Sequence, residues 1–177
     1  GGEIHLNAAS TLDQSDAAVS GDASGHFVVV WTHDGGGSAT TDIRARVVNP
    51  GGTLRTGEIQ VNTTTDKEQA EASVAMRANG EFVVAWQSRG QDGSGGEYGV
   101  YAAQFDLDGH ALIAEERVNA TTGGDQVAPS VAVDGGTVTF AWSGAGAGDT
   151  SGVFVRRWLV DSVGITLTPD TASAIAE

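Results

Sequence analysis

The sequence predicts an all-β fold built from four-stranded antiparallel blades, as in a β-propeller. Nearly the same apolar run occurs three times, as "HFVVVWTH" at 26–33, "EFVVAWQS" at 81–88 and "TVTFAWSG" at 137–144. Glycine is abundant, with 26 residues, and no run of ten residues shows a helical apolar period. The alternative is a β-sandwich of duplicated hairpins, in which the repeated run would alternate more between polar and apolar residues.

Four markers recur with one period of 55–57 residues. They are the tryptophans at 31, 86 and 142, the glutamines at 14, 69 and 126, the asparagines at 7, 62 and 119, and the glycines at 52 and 109. A repeat of about this length with several short strands is typical of propeller blades.

The middle copy shows the four strands of one unit, named a to d, at 71–77, 82–86, 99–106 and 115–119. The first copy places them at 17–21, 27–31, 42–48 and 58–62, and the third at 129–133, 137–142, 152–158 and 164–168. Strand b of the middle copy is apolar at every position, which predicts burial on both faces. Strand d alternates, as an outer, half-exposed strand does.

We therefore expect a single repeat domain over 1–177. Its parts are strand d of a preceding blade (3–7), blade 1 (16–62), blade 2 (70–119), blade 3 (128–168) and a tail (169–177). Propeller rings typically have 4–8 blades, so three blades do not close one. Three alternatives remain open: a ring of six blades from two chains, part of a longer chain that completes the ring, or a β-domain that is not a ring.

The chain is strongly acidic, with 23 acidic and 9 basic side chains and a net charge of −14. Such a surface repels phosphate backbones, which argues against nucleic acid as a partner. No apolar stretch predicts membrane insertion. Cysteine is absent, which excludes disulfides and thiolate chemistry. The start "GGEIHLN" is not a signal peptide, and we interpret the chain as a piece of a longer protein.

The segments "EIQVNTTT", "EQAEASVA", "EFVVAWQS", "GQDGSGGEYGVYAAQFDLDG" and "EERVNATT" resemble a repeat of very large secreted bacterial proteins. That repeat often accompanies hemolysin-type calcium-binding repeats. The resemblance covers about 3–158 and weakens after Trp158. It implies an extracellular or cell-surface location and a modular role, and it carries over no catalytic residue.

Strand direction places the b–c loops and the d–a crossovers at one end of the blades, where function concentrates on a rigid scaffold. These Gly-rich loops contain carboxylates, which are ligands that calcium prefers. The predicted calcium ligands are Asp34, Asp42, Asp92, Glu97 and Asp149. The alternative is that they are solvated acids of turns, because none has the spacing of a known calcium loop.

Aromatic rings beside carboxylates also suit sugar ligands. Trp31, Trp86 and Trp142 end the most apolar strands, which predicts that they belong to the core. Tyr98, Tyr101 and Trp158 are the freer candidates for binding glycans or cell-surface ligands. The sequons "NTT" (62–64) and "NAT" (119–121) recur with strand d, so we interpret them as structural.

Catalytic patterns are lacking, since the four histidines are scattered and neither HExxH nor GxSxG occurs. The sequence alone therefore predicts that the chain is not an enzyme. It favours a non-catalytic structural or adhesive module of an exported bacterial protein. The alternative is a calcium-assisted, lectin-like carbohydrate-binding module.

Overall fold

Twelve β-strands form three four-stranded antiparallel sheets in the computed structural model, which describes residues 2–8, 11–37, 40–93, 95–160 and 167–169. The strands of each sheet follow chain order, and the described residues contain no helix. Each sheet corresponds to one copy of the repeat. The predicted all-β, propeller-like fold with about three four-stranded blades is therefore confirmed.

The strand bounds, blade by blade, are as follows. The first blade contains β1 (Gln14–Gly21), β2 (Phe27–Gly37), β3 (Thr40–Val48) and β4 (Ile59–Gln60). The second contains β5 (Gln69–Met76), β6 (Phe82–Arg89), β7 (Tyr98–Phe105) and β8 (Ala111–Arg117). The third contains β9 (Gln126–Asp134), β10 (Thr137–Gly146), β11 (Asp149–Val160) and β12 (Leu167–Pro169).

The first strand of each blade forms its inner edge. Strand β5 lies against β1, β2 and β3 of the first blade, and β9 lies against β5, β6 and β7 of the second. Strands β4, β8 and β12 form the opposite, outer edges of the sheets. The blades therefore stack face to face around one side, with β1, β5 and β9 as neighbours along it.

Two apolar cores hold the blades together, one in each interface. The first core joins Val30, Ile43 and Ala45 of the first blade to Phe82 and Trp86 of the second, among others. The second joins residues of the second blade, including Val83, Val100 and Ala102, to a set in the third blade that includes Phe140, Trp142 and Trp158. Burying this apolar surface is the main driving force for stacking the blades.

Strand β6 shows why the repeated run is continuously apolar in the middle copy. Phe82, Val84 and Trp86 enter the first core, whereas Val83 and Ala85 enter the second, and all five are fully buried. Successive side chains of a strand point to opposite faces, so a strand between two blades needs apolar residues at every position. The equivalent strand of the third blade has Thr139 and Ala141 on the face that no described blade covers, and both are only half-buried.

Two of the three predicted b–c loops are shorter than expected. Strand β2 continues to Gly37 and β3 begins at Thr40. In the third blade, β10 continues to Gly146 and β11 begins at Asp149. The segments 33–42 and 144–152, for which the sequence predicts b–c loops, are therefore mostly hairpin, because antiparallel pairing continues past the apolar run. Most of the predicted tail, 170–177, lies outside the described residues. The described residues include no helical segment that could span a lipid bilayer.

Candidate functional site

The d–a crossovers and the starts of the b–c loops meet at one end of the blades, as strand direction predicts. In every blade, a backbone N–H just after the repeated run donates to the carbonyl of the acid that precedes the recurring glutamine. The three bonds are Asp34 N to Asp13 O at 3.0 Å, Arg89 N to Glu68 O at 2.9 Å and Ala145 N to Asp125 O at 2.9 Å. This shared contact ties the crossover to the end of strand b, so the acid–glutamine pair caps a strand end.

The five predicted calcium ligands lie in these loops but in different local settings. Four of them accept short hydrogen bonds from nearby groups: Asp34 from Gly36 N, Asp42 from Asn62 Nδ2, Glu97 from Gly124 N and Asp149 from Ser151 N, at 2.8–2.9 Å. The fifth, Asp92, lies near the ring of Tyr101. Among the described residues, no three of His, Cys, Asp and Glu come together as metal ligands. Calcium binding stays a prediction from the sequence.

Two of the three predicted ligand-binding aromatics are in the interior, which corrects the expectation that they are accessible. Tyr101 is 6% exposed in the first core, and Trp158 is 2% exposed in the second, with its ring 4.7 Å from that of Phe140. Both lie on strand c, between blades. Burial, together with the charge of Asp92, raises the pKa of the Tyr101 hydroxyl to about 12.

Tyr98 is half-buried at the start of β7, beside two crossover acids. Its N–H donates to Asp125 at 2.9 Å. Partial burial and a hydrogen bond with Glu68 raise the pKa of its hydroxyl to about 12. Tyr98 therefore links the crossovers on either side of the second blade, with its backbone N–H bonded to Asp125 and its hydroxyl bonded to Glu68.

The tryptophans of the repeated run are buried, as the sequence predicts, and their partners explain the recurring glutamine. Trp31 Nε1 donates to Gln14 Oε1 at 2.7 Å, and Trp86 Nε1 donates to Gln69 Oε1 at 2.9 Å. In the third blade, Gln126 Oε1 instead accepts from Asn119 Nδ2 at 2.6 Å. The glutamine supplies the acceptor that a buried indole N–H requires.

The recurring asparagine is also structural. Asn62 and Asn119 are 0% and 1% exposed, and each Oδ1 accepts the N–H of a strand-c residue, Ile43 at 2.7 Å and Val100 at 2.8 Å. Each Nδ2 donates to a carbonyl two residues further on. The asparagines of both sequons are therefore buried, and their side-chain amides make hydrogen bonds within the fold, in agreement with the structural interpretation.

Each inner strand contains a β-bulge two residues after its glutamine. The residue there has a positive φ without being glycine: 53° at Asp16, 52° at Glu71 and 53° at Ala128. The strand register shifts at the same places in all three blades. All three side chains are exposed. Such backbone strain costs about 1–3 kcal/mol and is concentrated at functional sites, as are bulges.

The fold needs this bulge but not the carboxylates. Ala128 adopts the same backbone conformation as Asp16 and Glu71, so an acidic side chain is not required to form it. Two carboxylates therefore project from equivalent positions of neighbouring inner strands, β1 and β5. Sequence reasoning missed them, although the pattern glutamine-x-acid at 14–16 and 69–71 is visible.

A groove of about 390 Å³ lies beside the first of these carboxylates, between β1 and residues 4–7. Its lining includes Asp16, His5, Asn7 and Trp31. The volume falls within the range of about 300–1,000 Å³ that is usual for small-ligand sites.

No protein-family model and no curated protein matches this sequence. Solved structures do match its fold. An endo-arabinase from Bacteroides thetaiotaomicron superposes with a TM-score of 0.54 at 13% identity, over 84% of this chain and 57% of the enzyme. An α-L-arabinofuranosidase from Lactobacillus brevis gives 0.53 at 16% identity, over 92% and 57%. A thermostable family-43 glycoside hydrolase gives 0.57 at 11% identity, over 96% and 61%.

This chain spans less than two thirds of each of these structures, and at these identities the likeness shows the fold. All three are named as carbohydrate-cleaving enzymes. The prediction of a non-catalytic structural, adhesive or lectin-like module is therefore wrong, as is the prediction that the chain is not an enzyme. Both rested on the lack of local catalytic motifs, and a propeller can assemble a site from single residues on separate blades.

Proposed function

We propose that this chain is part of a propeller domain that binds carbohydrate and hydrolyses glycosidic bonds, with Asp16 and Glu71 as its acidic pair. The observation that carries the proposal is the pair of exposed carboxylates at the strained bulges of neighbouring inner strands. The support from the comparisons is that chains with this fold include an arabinase, an arabinofuranosidase and a family-43 glycoside hydrolase.

Glycoside hydrolysis requires two carboxyl groups on opposite sides of the bond that breaks. One protonates the leaving oxygen, and the other either activates a water molecule or attacks the sugar directly. In our proposal Asp16 and Glu71 lie on either side of this bond, because they project from neighbouring inner strands, β1 and β5, rather than from one turn.

The substrate class that we propose is a pentose-containing glycan, since two of the enzymes of similar fold are named as an endo-arabinase and an α-L-arabinofuranosidase. An extracellular location, implied by the resemblance to secreted repeat proteins, fits such a substrate because polymeric glycans do not cross membranes. The extracellular location and the relationship to secreted repeat proteins are both part of the proposal.

The test measures release of sugar from arabinan, xylan and chromogenic pentosides by the purified chain. We expect hydrolysis that falls by about 10²–10⁴-fold in Asp16→Asn and in Glu71→Gln, as removal of a general acid or base does. The matched control is Glu116→Gln, on the exposed outer strand β8, which should keep full activity. If the unmutated chain neither hydrolyses these glycans nor binds them in calorimetry, the proposal is wrong.

A further inference from the structure

Residues 4–8 contact the first blade in the same way as the end of strand d of the first blade contacts the second blade. Ala8 N–H donates to Glu58 at 2.7 Å, and Thr63 N–H donates to Glu115 at 2.5 Å. Both pairs occupy the same repeat positions, because each backbone N–H follows a marker asparagine and each glutamate precedes one by four residues. This contact joins a strand d to the blade that follows it.

Two further contacts repeat in the same way. Arg46 donates to the carbonyl of Leu6, and Arg156 donates to that of Val118 at 2.6 Å. Ile4 lies over Gly52 as Ile59 lies over Gly109, with the isoleucine Cδ1 3.1 Å and 2.6 Å from an ideal glycine Cβ position. Residues 4–8 therefore have the position of a strand d whose strands a to c are not part of the described fold.

The faces at the two ends of the stack expose positions that are buried in both interfaces between blades. Val153 and Val155 of the third blade are 80% and 63% exposed. They pair with the residues just after and just before Trp142. The equivalent positions in the other two blades are all 0% exposed. Ile43 and Val100 are equivalent to Val153, and Ala45 and Ala102 are equivalent to Val155.

The opposite end shows the same pattern. Val19 of the first blade is 65% exposed, whereas its equivalents Val74 and Val131 are 7% and 8% exposed within the two cores. The groove between β1 and residues 4–7 adjoins this face. In the interface between the first and second blades, the corresponding space is filled by core residues of the first blade, including Val30 and Ile43.

We propose that these two faces pack against each other between two copies of this chain, head to tail. β12 pairs with 158–160 of β11, and in this arrangement residues 3–7 of one copy pair with the preceding part of β11, near Val155, in the other copy. The third blade, widened in this way, covers Val19 of the first copy. Two copies make six blades, within the usual range of 4–8 for a closed ring, whereas three copies would exceed it. The contact is heterologous and forms twice, which closes the assembly.

The composition of the face favours a second chain over a core within one chain. Thr139 stands where Val28 and Val83 stand in the other blades, and the exposed Arg157 lies on the same face. Interfaces between separately folded chains are more polar than cores. Each copy carries a net charge of −14, so repulsion opposes the pair and added salt should strengthen it.

Sedimentation equilibrium of the whole chain tests the assembly. We expect a species of twice the mass of one chain, which Val155→Glu and Val19→Glu each convert to a single chain. Leu112→Glu is the matched control, because Leu112 is 39% exposed on the outer strand β8, away from both faces. A single chain at all concentrations and salt conditions, or an open series of higher masses, overturns the proposal.

A disulfide test fixes the register. Ile59 pairs with Ala45 and Glu116 with Ala102, so Ile4 of one copy should pair with Val155 of the other. The chain has no cysteine, and directly paired residues have Cβ atoms about 4.5–5.5 Å apart, near what a disulfide needs. Mixing Ile4→Cys with Val155→Cys should give a cross-linked pair under mild oxidation, whereas Leu112→Cys with Val155→Cys should not. A dimer without the first cross-link contradicts the proposed interface.

Discussion

The indole Nε1 of Trp86 donates a hydrogen bond to Oε1 of Gln69 at 2.9 Å, and both side chains are fully buried. The bond joins β6 of the middle blade to the first residue of its inner strand, β5. Trp31 and Gln14 make the same bond in the first blade. In these two blades the marker glutamine therefore supplies, through its Oε1, the acceptor for the buried indole N–H of the marker tryptophan.

Replacing Trp86 by alanine should be among the most damaging single changes. The ring is fully buried in the first core, where Trp86 pairs with Tyr101 of the next strand, so its removal leaves a cavity there. Truncation of a large buried aromatic costs about 3–5 kcal/mol of unfolding free energy. Urea denaturation measures it, with Leu112→Ala as an exposed control. A loss below about 1 kcal/mol would mean that the ring is accessible, since surface changes are usually this small.

Gln69→Met tests the hydrogen bond separately from packing. Methionine keeps much of the volume of glutamine but has no comparable acceptor, so the buried indole N–H of Trp86 loses its partner. A buried polar group left without a partner costs about 1–3 kcal/mol. The same change at Gln126 affects a different donor, Asn119 Nδ2, which loses one of its two acceptors and keeps the carbonyl of Thr121. The indole fluorescence of the folded Gln69→Met protein should therefore change, whereas that of Gln126→Met should change less.

Two turns with the pattern D-x-x-G-H, at 22–26 and 106–110, predict an acid limit of stability. Partial burial raises the pKa of Asp22 and Asp106, but hydrogen bonds with His26 and His110 outweigh it and hold both values below the ordinary 3.8. A lowered folded pKa stabilises the protein above the ordinary value, and this stabilisation is lost as the pH falls through the folded value. The melting temperature should therefore fall below about pH 4, and less steeply in Asp22→Asn/Asp106→Asn. Identical acid limbs in the two proteins would contradict this account.

The blade architecture could be predicted because a strand that is buried on both faces has apolar residues at successive positions. The run at Phe82–Trp86 shows it, and so does the regular spacing of the tryptophans. The exposure of individual aromatics could not be predicted in the same way. Tyr101 lies on strand c, and its burial depends on how closely the neighbouring blade approaches, which periodicity does not reveal.

The carboxylates at the bulges escaped prediction for a different reason. A positive φ is usually marked in a sequence by glycine or asparagine. Here the bulge is imposed by the strand pairing on either side, and it accepts an aspartate, a glutamate and an alanine at 16, 71 and 128. No residue type therefore indicates the strained position in the sequence, and the two acids are not distinguishable there from other polar residues of a strand.

The predicted calcium effect is open to a direct measurement. The sequence predicts that calcium held by loop acids such as Asp34, Asp92 and Asp149 raises the melting temperature. An ion bound only by the folded state adds about 2.7 kcal/mol at a hundredfold excess over its Kd. Melting in millimolar calcium is compared with melting in chelator at matched ionic strength, because salt alone screens the repulsion. Equal melting temperatures and no heat of binding would leave these acids as members of turns.

Gly109 should tolerate a side chain much less well than Gly93, although both have φ = 84°. An alanine at either position pays for the left-handed backbone, about 1–2 kcal/mol. At Gly93 an added Cβ has no neighbour within 4 Å, whereas at Gly109 it would lie 2.6 Å from Ile59 Cδ1. Ile59 belongs to the outer strand that rests on the second blade, so relief of the clash must loosen the contact between the blades. Gly109→Ala should therefore lower the unfolding free energy more than Gly93→Ala does, and Gly109→Ala/Ile59→Val should recover part of the difference. Equal losses in the two single variants would show that Ile59 moves aside without cost and does not hold the blades in register.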